Sequence, residues 1–492
     1  MATMSMGRKK ARQASMFVAK NAALRGPRHR FYEALEKLLR RAAFDREVEA
    51  LCSAYYDKDG TLGRRSIPPG VYFRMLLIGF FEGIESERGI CWRCEDSLSL
   101  RSFLGLDLDE RIPDHSTLSR TRSRLPAEVY EQVFNLVLGI VDKHGLLKGK
   151  VVGVDSTYLR ADASMKSIVR RDTEQGYNAY LERLAKDAGI EQPSAEDLRR
   201  MDRARKGKRT SNKDWKSPVD QDARIARMKD GTTRMSHKAE HVVDMQAGAV
   251  VHAEVLNATT GDASSIVDSI DKADARLTSI RDDDDDDDAT PDNSDNGPRE
   301  TKQIKEACGD KGYHKAATIR ALERRAVRTY IPERKQRGKR RFTDKGGWCT
   351  ARAVYKNRAR VARAKGRALQ RKRGELIERS FAHILETGGH RRVRLRGRDN
   401  ITKRYLVHVA GFNLSLVLRK LLGFGTPRGY ASAHKGLFAA LFVLWTSMRA
   451  VSATLLWQRH SRRSATAMPQ DDIHQSVWWS HDLLRPVRST GC

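Results

Sequence analysis

The stretch that most constrains this chain is Val151-Val152-Gly153-Val154 followed by Asp155-Ser156-Thr157. The β-branched residues read as a short buried strand, and Asp155 stands at its C-terminal end. A carboxylate is costly to bury unless it is paired, hydrogen-bonded or bound to a metal. Taken alone, Asp155 reads equally well as a residue capping a turn. A second stretch, Ile304 to His314, repeats the arrangement. Asp310 ends another short strand, Gly312 offers a turn, and a helical pattern begins near His314 and runs through Ile319 and Leu322. Two strands ending in Asp suit a hard divalent cation, because Mg²⁺ takes oxygen ligands and is held by one or two carboxylates plus substrate phosphates.

A third acidic position is expected on a helix over 369–386. Ile377, Phe381, Ile384 and Leu385 share one apolar face at helical spacing. Glu378 borders that face, and Arg371 lies two turns earlier on nearly the same side.

These stretches resemble the DDE transposases of bacterial insertion sequences. The resemblance rests on Val-Asp-Ser-Thr at 154–157, Gly-Asp-Lys-Gly-Tyr at 309–313 and Ile-Glu-Arg-Ser-Phe at 377–381. Pro68-Pro69 with its apolar continuation, and Pro-Asp-His-Ser-Thr-Leu-Ser at 113–119, resemble the N-terminal region of such proteins. The likeness covers roughly residues 60–425. It implies an α/β fold: a ribonuclease H-like mixed-sheet catalytic core with insertions, preceded by an all-α helix-turn-helix-like domain. It further implies that Asp155, Asp310 and Glu378 are the catalytic residues and hold two Mg²⁺ ions, or Mn²⁺ in their place. The implied activity is cleavage at the ends of an insertion sequence and strand transfer into target DNA. The implied partner is double-stranded DNA, both terminal repeats and target, bound by a homodimer in the bacterial cytoplasm at the nucleoid.

The chain departs from the family pattern at three places. Relatives often carry Tyr two turns before the Glu and Arg one turn before it, whereas Arg371 and Gly374 stand here, with Arg373 one step out of register. Relatives often carry Lys seven residues after the Glu, and Leu385 stands here. Glu375 therefore rivals Glu378. Two other classes stay open: a ribonuclease H-like nuclease that cuts without joining, and a DNA-binding relative without chemistry.

The charge balance agrees with a polyanionic partner. The 492 residues carry a formal net charge of +31, and such an excess favours nucleic acid. Six cysteines in a chain of this length make no disulfide framework. Cys91-Trp-Arg-Cys94 has no second Cys or His pair at zinc-finger distance, so the cysteines read as reduced and mostly buried, as in the cytosol. The first residues are basic without an apolar core behind them, unlike a signal peptide. The most apolar stretch, Leu437–Trp445, is shorter than the roughly 20 residues that span a bilayer, so no membrane partner is expected.

In chain order, residues 1–148 read as a helical DNA-binding domain opened by a basic arm at 1–30. Helical spacing runs from Phe31 to Tyr56, Pro68 and Pro69 open an apolar helix to about Ile84, Ser86 suits a helix cap, and Leu98–Leu104 is a further helix. Asp114 is a candidate cap for a helix from His115 to Leu125, whose Ser116, Thr117, Arg120, Arg122 and Arg124 suit phosphates and base edges. A helix from Ala127 to His144 follows. Residues 149–425 read as the catalytic domain, with insertions near 161–235 and 281–300. An antiparallel pair is expected over His237–Met245 and Val250–Leu256, a helix over Ala263–Ile280 and a strand over Val327–Ile331. The run Asp282–Asp288 reads as solvated like charges, or as a polyanion competing with DNA for the basic groove. Segment 333–373 is dominated by Arg and Lys, with Trp348 and Tyr355 interleaved, and Arg371, Lys372 and Arg373 are candidate DNA contacts. Arg391–Arg398 alternates Arg with Val and Leu like a strand with one basic face. Tyr405–Leu422 returns to helical spacing, and 426–492 is a C-terminal helix and tail.

Overall fold

The computed structural model describes residues 29–56, 66–107, 109–205, 211–228, 230–287, 303–335, 342, 347–432, 445 and 448, with the backbone alone for 282–287. The chain divides into two compact units at Tyr430, and the fold below is that of the first. Most of the basic arm at 1–30, most of Leu437–Trp445 and the side chains of Asp282–Asp288 lie outside the described residues.

Among the described residues, seven α-helices come first. Where continuous helical spacing runs from Phe31 to Tyr56, the chain forms two helices, α1 (Arg30–Arg41) and α2 (Phe44–Cys52), because Ala43 turns to φ 48° between them. Helix α3 (Pro69–Glu82) opens on Pro69, whose missing N–H costs nothing in a first turn, and closes on Gly83 at φ 71°. Apart from the terminal Glu82 every residue of α3 is buried, Arg74 included. Ser86 accepts a hydrogen bond from the Gly89 amide and caps α4 (Glu87–Glu95), as expected. Helix α5 (Leu98–Leu104) is capped by Ser97, and α6 (His115–Arg124) by Asp114, which accepts from the Ser116 amide. Helix α7 (Ala127–Lys143) leads to the sheet.

The sheet begins with β1 (Val151–Arg160). An excursion follows: β2 (Val169–Arg170), α8 (Tyr177–Asp187), α9 (Ala195–Ala204) and β3 (Trp215–Lys216), with β2 and β3 paired antiparallel. Trp215 is buried there against Tyr177 and Tyr180. Strand β4 (Arg224–Arg227) rejoins the sheet, followed by β5 (Thr233–Asp244) and β6 (Val250–Asn257). Helix α10 (Asp262–Asp287) runs well past the expected Ile280, its backbone staying helical into the acidic run. Strand β7 (Glu306–Gly309), α11 (Ala316–Arg324), β8 (Arg328–Tyr330), α12 (Gly347–Ala362), α13 (Ala364–Ala382) and α14 (Arg398–Leu422) complete the unit.

The sheet order is β4–β5–β1–β7–β8, with β6 also on β5. Strands β5 and β6 are antiparallel, while β7 and β8 continue parallel to β1. An antiparallel trio extended by two parallel strands, preceded by helices, is the mixed sheet of a ribonuclease H-like core behind an all-α region. One hydrophobic core runs from Phe31 to Leu418, through the helices and the sheet.

Two local expectations are corrected. Strand β1 does not end at Asp155; it continues to Arg160 because β5 pairs with it through Arg160↔Ser236. Asp155 is instead the first residue beyond the last β1–β7 pair, Val154↔Gly309. The alternating segment 391–398 is not a strand. It makes one isolated bridge, Arg160↔Arg392, and stays irregular until α14. Val393 fills the core while Arg392 and Arg394 turn to Asp162 and Glu85, so the alternation reflects burial without a partner strand beside it.

The stretch Arg398–Ser432 is long and apolar enough to cross a membrane by length and composition, but 67% of its apolar window is buried inside the protein. It also buries Lys403, Arg404, His408 and Asn413, which marks a core helix.

Candidate active site

Successive residues of a strand face opposite sides of its sheet, and β1 uses both sides. Gly153 lies against Ile377 and Arg373 of α13. Asp155, two residues on, faces the same helix and forms an ion pair with Arg373, Nη1 to Oδ2 at 2.6 Å. The Ser156 amide donates to the other Asp155 oxygen at 2.8 Å. Burial pushes the Asp155 carboxyl above its ordinary pKa; Arg373 and the Ser156 amide oppose this, and nearby Asp310 adds to it. The departure from the family pattern has a geometric consequence. One residue turns a helix by about 100°, and Arg373 therefore faces the sheet, whereas the space around Gly374 is open.

Asp310 caps the 3-10 turn Lys311–Tyr313, accepting from the Gly312 amide at 2.7 Å. A methyl group placed on Gly312 would lie 2.6 Å from Asp262 Oδ2 and 2.8 Å from Asp310 Oδ1. These two carboxylates therefore flank one backbone position. Asp262 is the first residue of α10, and the sequence reading missed it. Its only local signal is Thr-Thr-Gly-Asp before an apolar periodic run, which reads as a helix start. The Ser156 hydroxyl donates to Asp262 at 3.0 Å, and Lys238 pairs with it at 2.7 Å. Behind this group, buried Glu240 accepts from Ser265, Ser269 and Tyr313. Burial pushes the Glu240 carboxyl above its ordinary pKa against those hydrogen bonds. A cleft of about 690 Å³ opens over Asp262, Asp310, Gly312 and Glu333.

Glu378 lies on α13 and is exposed. It makes no ion pair among the described residues, whereas its rival Glu375 pairs with Arg379 at 2.6 Å. Leu385 is buried in the π-helical turn His383–Thr387, where a lysine would have to bury its charge. Among the described residues no three His, Cys, Asp or Glu side chains converge as a ready metal cage. Asp155 on β1 and Asp310 just beyond its parallel neighbour β7 still offer the one or two carboxylates a Mg²⁺ site needs, with Asp262 beside Asp310. Carboxylate oxygens are the donor type a hard cation takes.

Gly312 provides a direct test of this packing. Gly312→Ala is expected to displace both carboxylates, since Asp262 is held by Ser156 and Lys238 while Asp310 is held by the turn. For the DNA cleavage that the family resemblance implies, the expected outcome is a loss of about 100-fold or more, comparable to shifting a reacting group by 1 Å, with the melting temperature close to that of the wild type. Cleavage at the wild-type rate would show that the Gly312 position tolerates a methyl group.

On α6, the Arg120 side chain is exposed and donates to Ser116 at 3.0 Å, and Thr117 is half-buried. Arg122 pairs with Glu87, and the Arg124 guanidinium lies over the Tyr56 ring at 5.0 Å. Arg371 and Lys372 are exposed on α13. Burial pushes the Cys94 thiol up to about 12 and the Cys91 thiol to about 11; both are free thiols on α4.

Two families match parts of the chain. Residues 21–124 match a family described as Transposase domain (DUF772), and residues 328–418 match one described as Transposase DDE domain. No curated protein and no solved structure matches it. The first match ends on the last residue of α6, and the second contains β8, α13 with Arg373 and Glu378, and most of α14. Matches to transposase-family models thus lie before and after, in sequence, the segments that carry Asp155 and Asp310.

Proposed function

We propose that this protein is a DDE transposase that cuts DNA at the ends of an insertion sequence and joins the freed 3′ end to target DNA. One observation carries the reading: Asp155 and Asp310 sit side by side where the β1–β7 pairing stops, in a sheet flanked in sequence by transposase-family matches. Asp155 and Asp310 would hold Mg²⁺ or Mn²⁺, with Glu378 as the third carboxylate expected of the family and Asp262 as the one packed nearest Asp310. A pair of such ions, when bound, lowers the pKa of water or of a DNA 3′-hydroxyl and stabilises the leaving oxygen.

The remaining roles belong to the chain. The Asp155 and Asp310 carboxylates would present oxygens to the cation, and the Ser156 amide and the 3-10 turn orient them. Arg373 balances the charge of Asp155. Arg371 and Lys372 extend exposed cations from the same helix toward the DNA backbone. Ser116, Thr117 and Arg120 present hydroxyls and a guanidinium to the element's terminal repeats, while Arg122 and Arg124 hold α6 in place and border the contact. Pairing two element ends calls for a homodimer on DNA. Work on a bacterial chromosome places the protein in the cytoplasm at the nucleoid.

A second reading, DNA binding without chemistry, is favoured by the Arg373–Asp155 pair and by the separation of Glu378 from the two aspartates. The test uses the purified full-length protein, a duplex bearing the terminal inverted repeat that flanks its gene, and a plasmid target with Mg²⁺. Cleaved ends and joined products are expected on gels. Cleavage without joining would make it a nuclease, and end-specific binding with neither product would make it a DNA-binding relative.

A further inference from the structure

A basic cleft of about 520 Å³ opens at the far end of β1, five residues beyond Asp155. Arg160, the last residue of the strand, lines it together with Lys166, Arg234, Arg392 and Arg396. The single carboxylate among its charged lining residues, Asp162, is shared by Arg392 at 3.3 Å and Arg396 at 3.2 Å. Among the described residues Arg160, Lys166 and Arg234 form no ion pair. The backbone fixes the crowding: the Arg160 amide donates to the Arg391 carbonyl at 3.1 Å, the Val393 amide to the Arg160 carbonyl at 2.9 Å, and the Ala161 amide to the Met235 carbonyl at 3.0 Å. Desolvation pulls the Arg160 guanidinium below its ordinary pKa, and neighbouring Arg234 and Arg392 pull it the same way.

Like charges held together by the backbone repel at a cost that an arriving anion relieves. The cleft is open to solvent and lies on the strand that carries Asp155. We propose that this cleft is a phosphate clamp in which Arg160, Arg234 and Lys166 grip the sugar–phosphate backbone of the DNA duplex on the face of β1 opposite Asp155. The inference rests on the transposase reading and adds a contact with no sequence preference, since phosphates position DNA while base edges specify it.

The test is a fluorescence-anisotropy titration of full-length protein with the end-repeat duplex, across a NaCl series from about 50 to 200 mM. Wild type is compared with Arg160→Gln/Arg234→Gln and with a control on α1, Arg40→Gln/Arg41→Gln. Each lost phosphate contact flattens the slope of log affinity against log salt by about 0.9. The clamp variant is therefore expected to be about two units shallower, while the control parallels the wild type.

A steep wild-type slope matched by the clamp variant would overturn the clamp and leave the transposase reading standing. The absence of salt-dependent duplex binding by the wild type would overturn the reading itself. An equal loss on a single-stranded RNA of the same length would assign the cleft to another polyanion and likewise overturn the proposal. Thermal melting checks that the variant folds; if it does not, Lys166→Gln/Arg234→Gln repeats the measurement from side chains outside β1.

Discussion

Asp155→Asn and Asp310→Asn are each expected to lower Mg²⁺-dependent cleavage of an end-repeat duplex by on the order of 10³-fold or more, about 4 kcal/mol of transition-state stabilisation. The substitution keeps the shape of the side chain and removes the charge a hard cation requires. Duplex affinity should change little, because neither carboxylate attracts phosphate. Asp155→Asn also removes the partner of Arg373, so a slight rise in affinity is consistent with the reading. Glu378→Gln and Asp262→Asn, assayed in the same series, decide which is the third carboxylate: the one that falls to the same floor. Cleavage at the wild-type rate by Asp155→Asn or Asp310→Asn would remove that residue from the site.

The largest stability effect is expected far from the sheet. The Arg74 side chain, fully buried in α3, donates to both carboxylate oxygens of Asp45 at 2.8 and 2.9 Å, to Glu36 and to the Phe103 carbonyl at 2.9 Å. Its guanidinium also stacks over the Phe103 ring at 4.9 Å. Desolvating a guanidinium costs several kcal/mol, and the cost is offset only while all of these acceptors are present. Arg74→Met keeps much of the volume and leaves two carboxylates facing an apolar pocket. A loss of roughly 3 kcal/mol is expected, at the low end of the range for a broken buried pair because Asp45 and Glu36 keep some solvent contact. Replacing the group together, Arg74→Met with Asp45→Leu and Glu36→Leu, should recover most of that loss. Denaturant unfolding of the three proteins makes the comparison, and a single variant as stable as the wild type would mean the pair contributes nothing net.

The sequence by itself determined the parts of this fold that depend on neighbours a few residues apart. Helical spacing marked α3, α7 and α14, a short β-branched run marked the start of β1, and an antiparallel pair was expected where β5 and β6 lie. The caps Ser86 and Asp114 located two helix starts to the residue, because a side-chain oxygen meets an amide two or three positions on. The positions of Asp155 and Asp310, one inside β1 and one just after β7, are likewise set by their local segments. What only the tertiary structure decided was the partner of each charge. Arg373, read as a candidate contact for DNA, pairs with Asp155, 218 residues away, because α13 packs across β1. Asp262 gave no signal beyond a helix start, yet it meets Ser156 from 106 residues away and Asp310 across a glycine. The extension of β1 to Arg160, the irregular course of 391–398 and the cleft of arginines between them share that cause. Period and capping act through the local backbone, whereas a carboxylate's environment is set by which elements pack together, and no spacing within a single helix or strand encodes that.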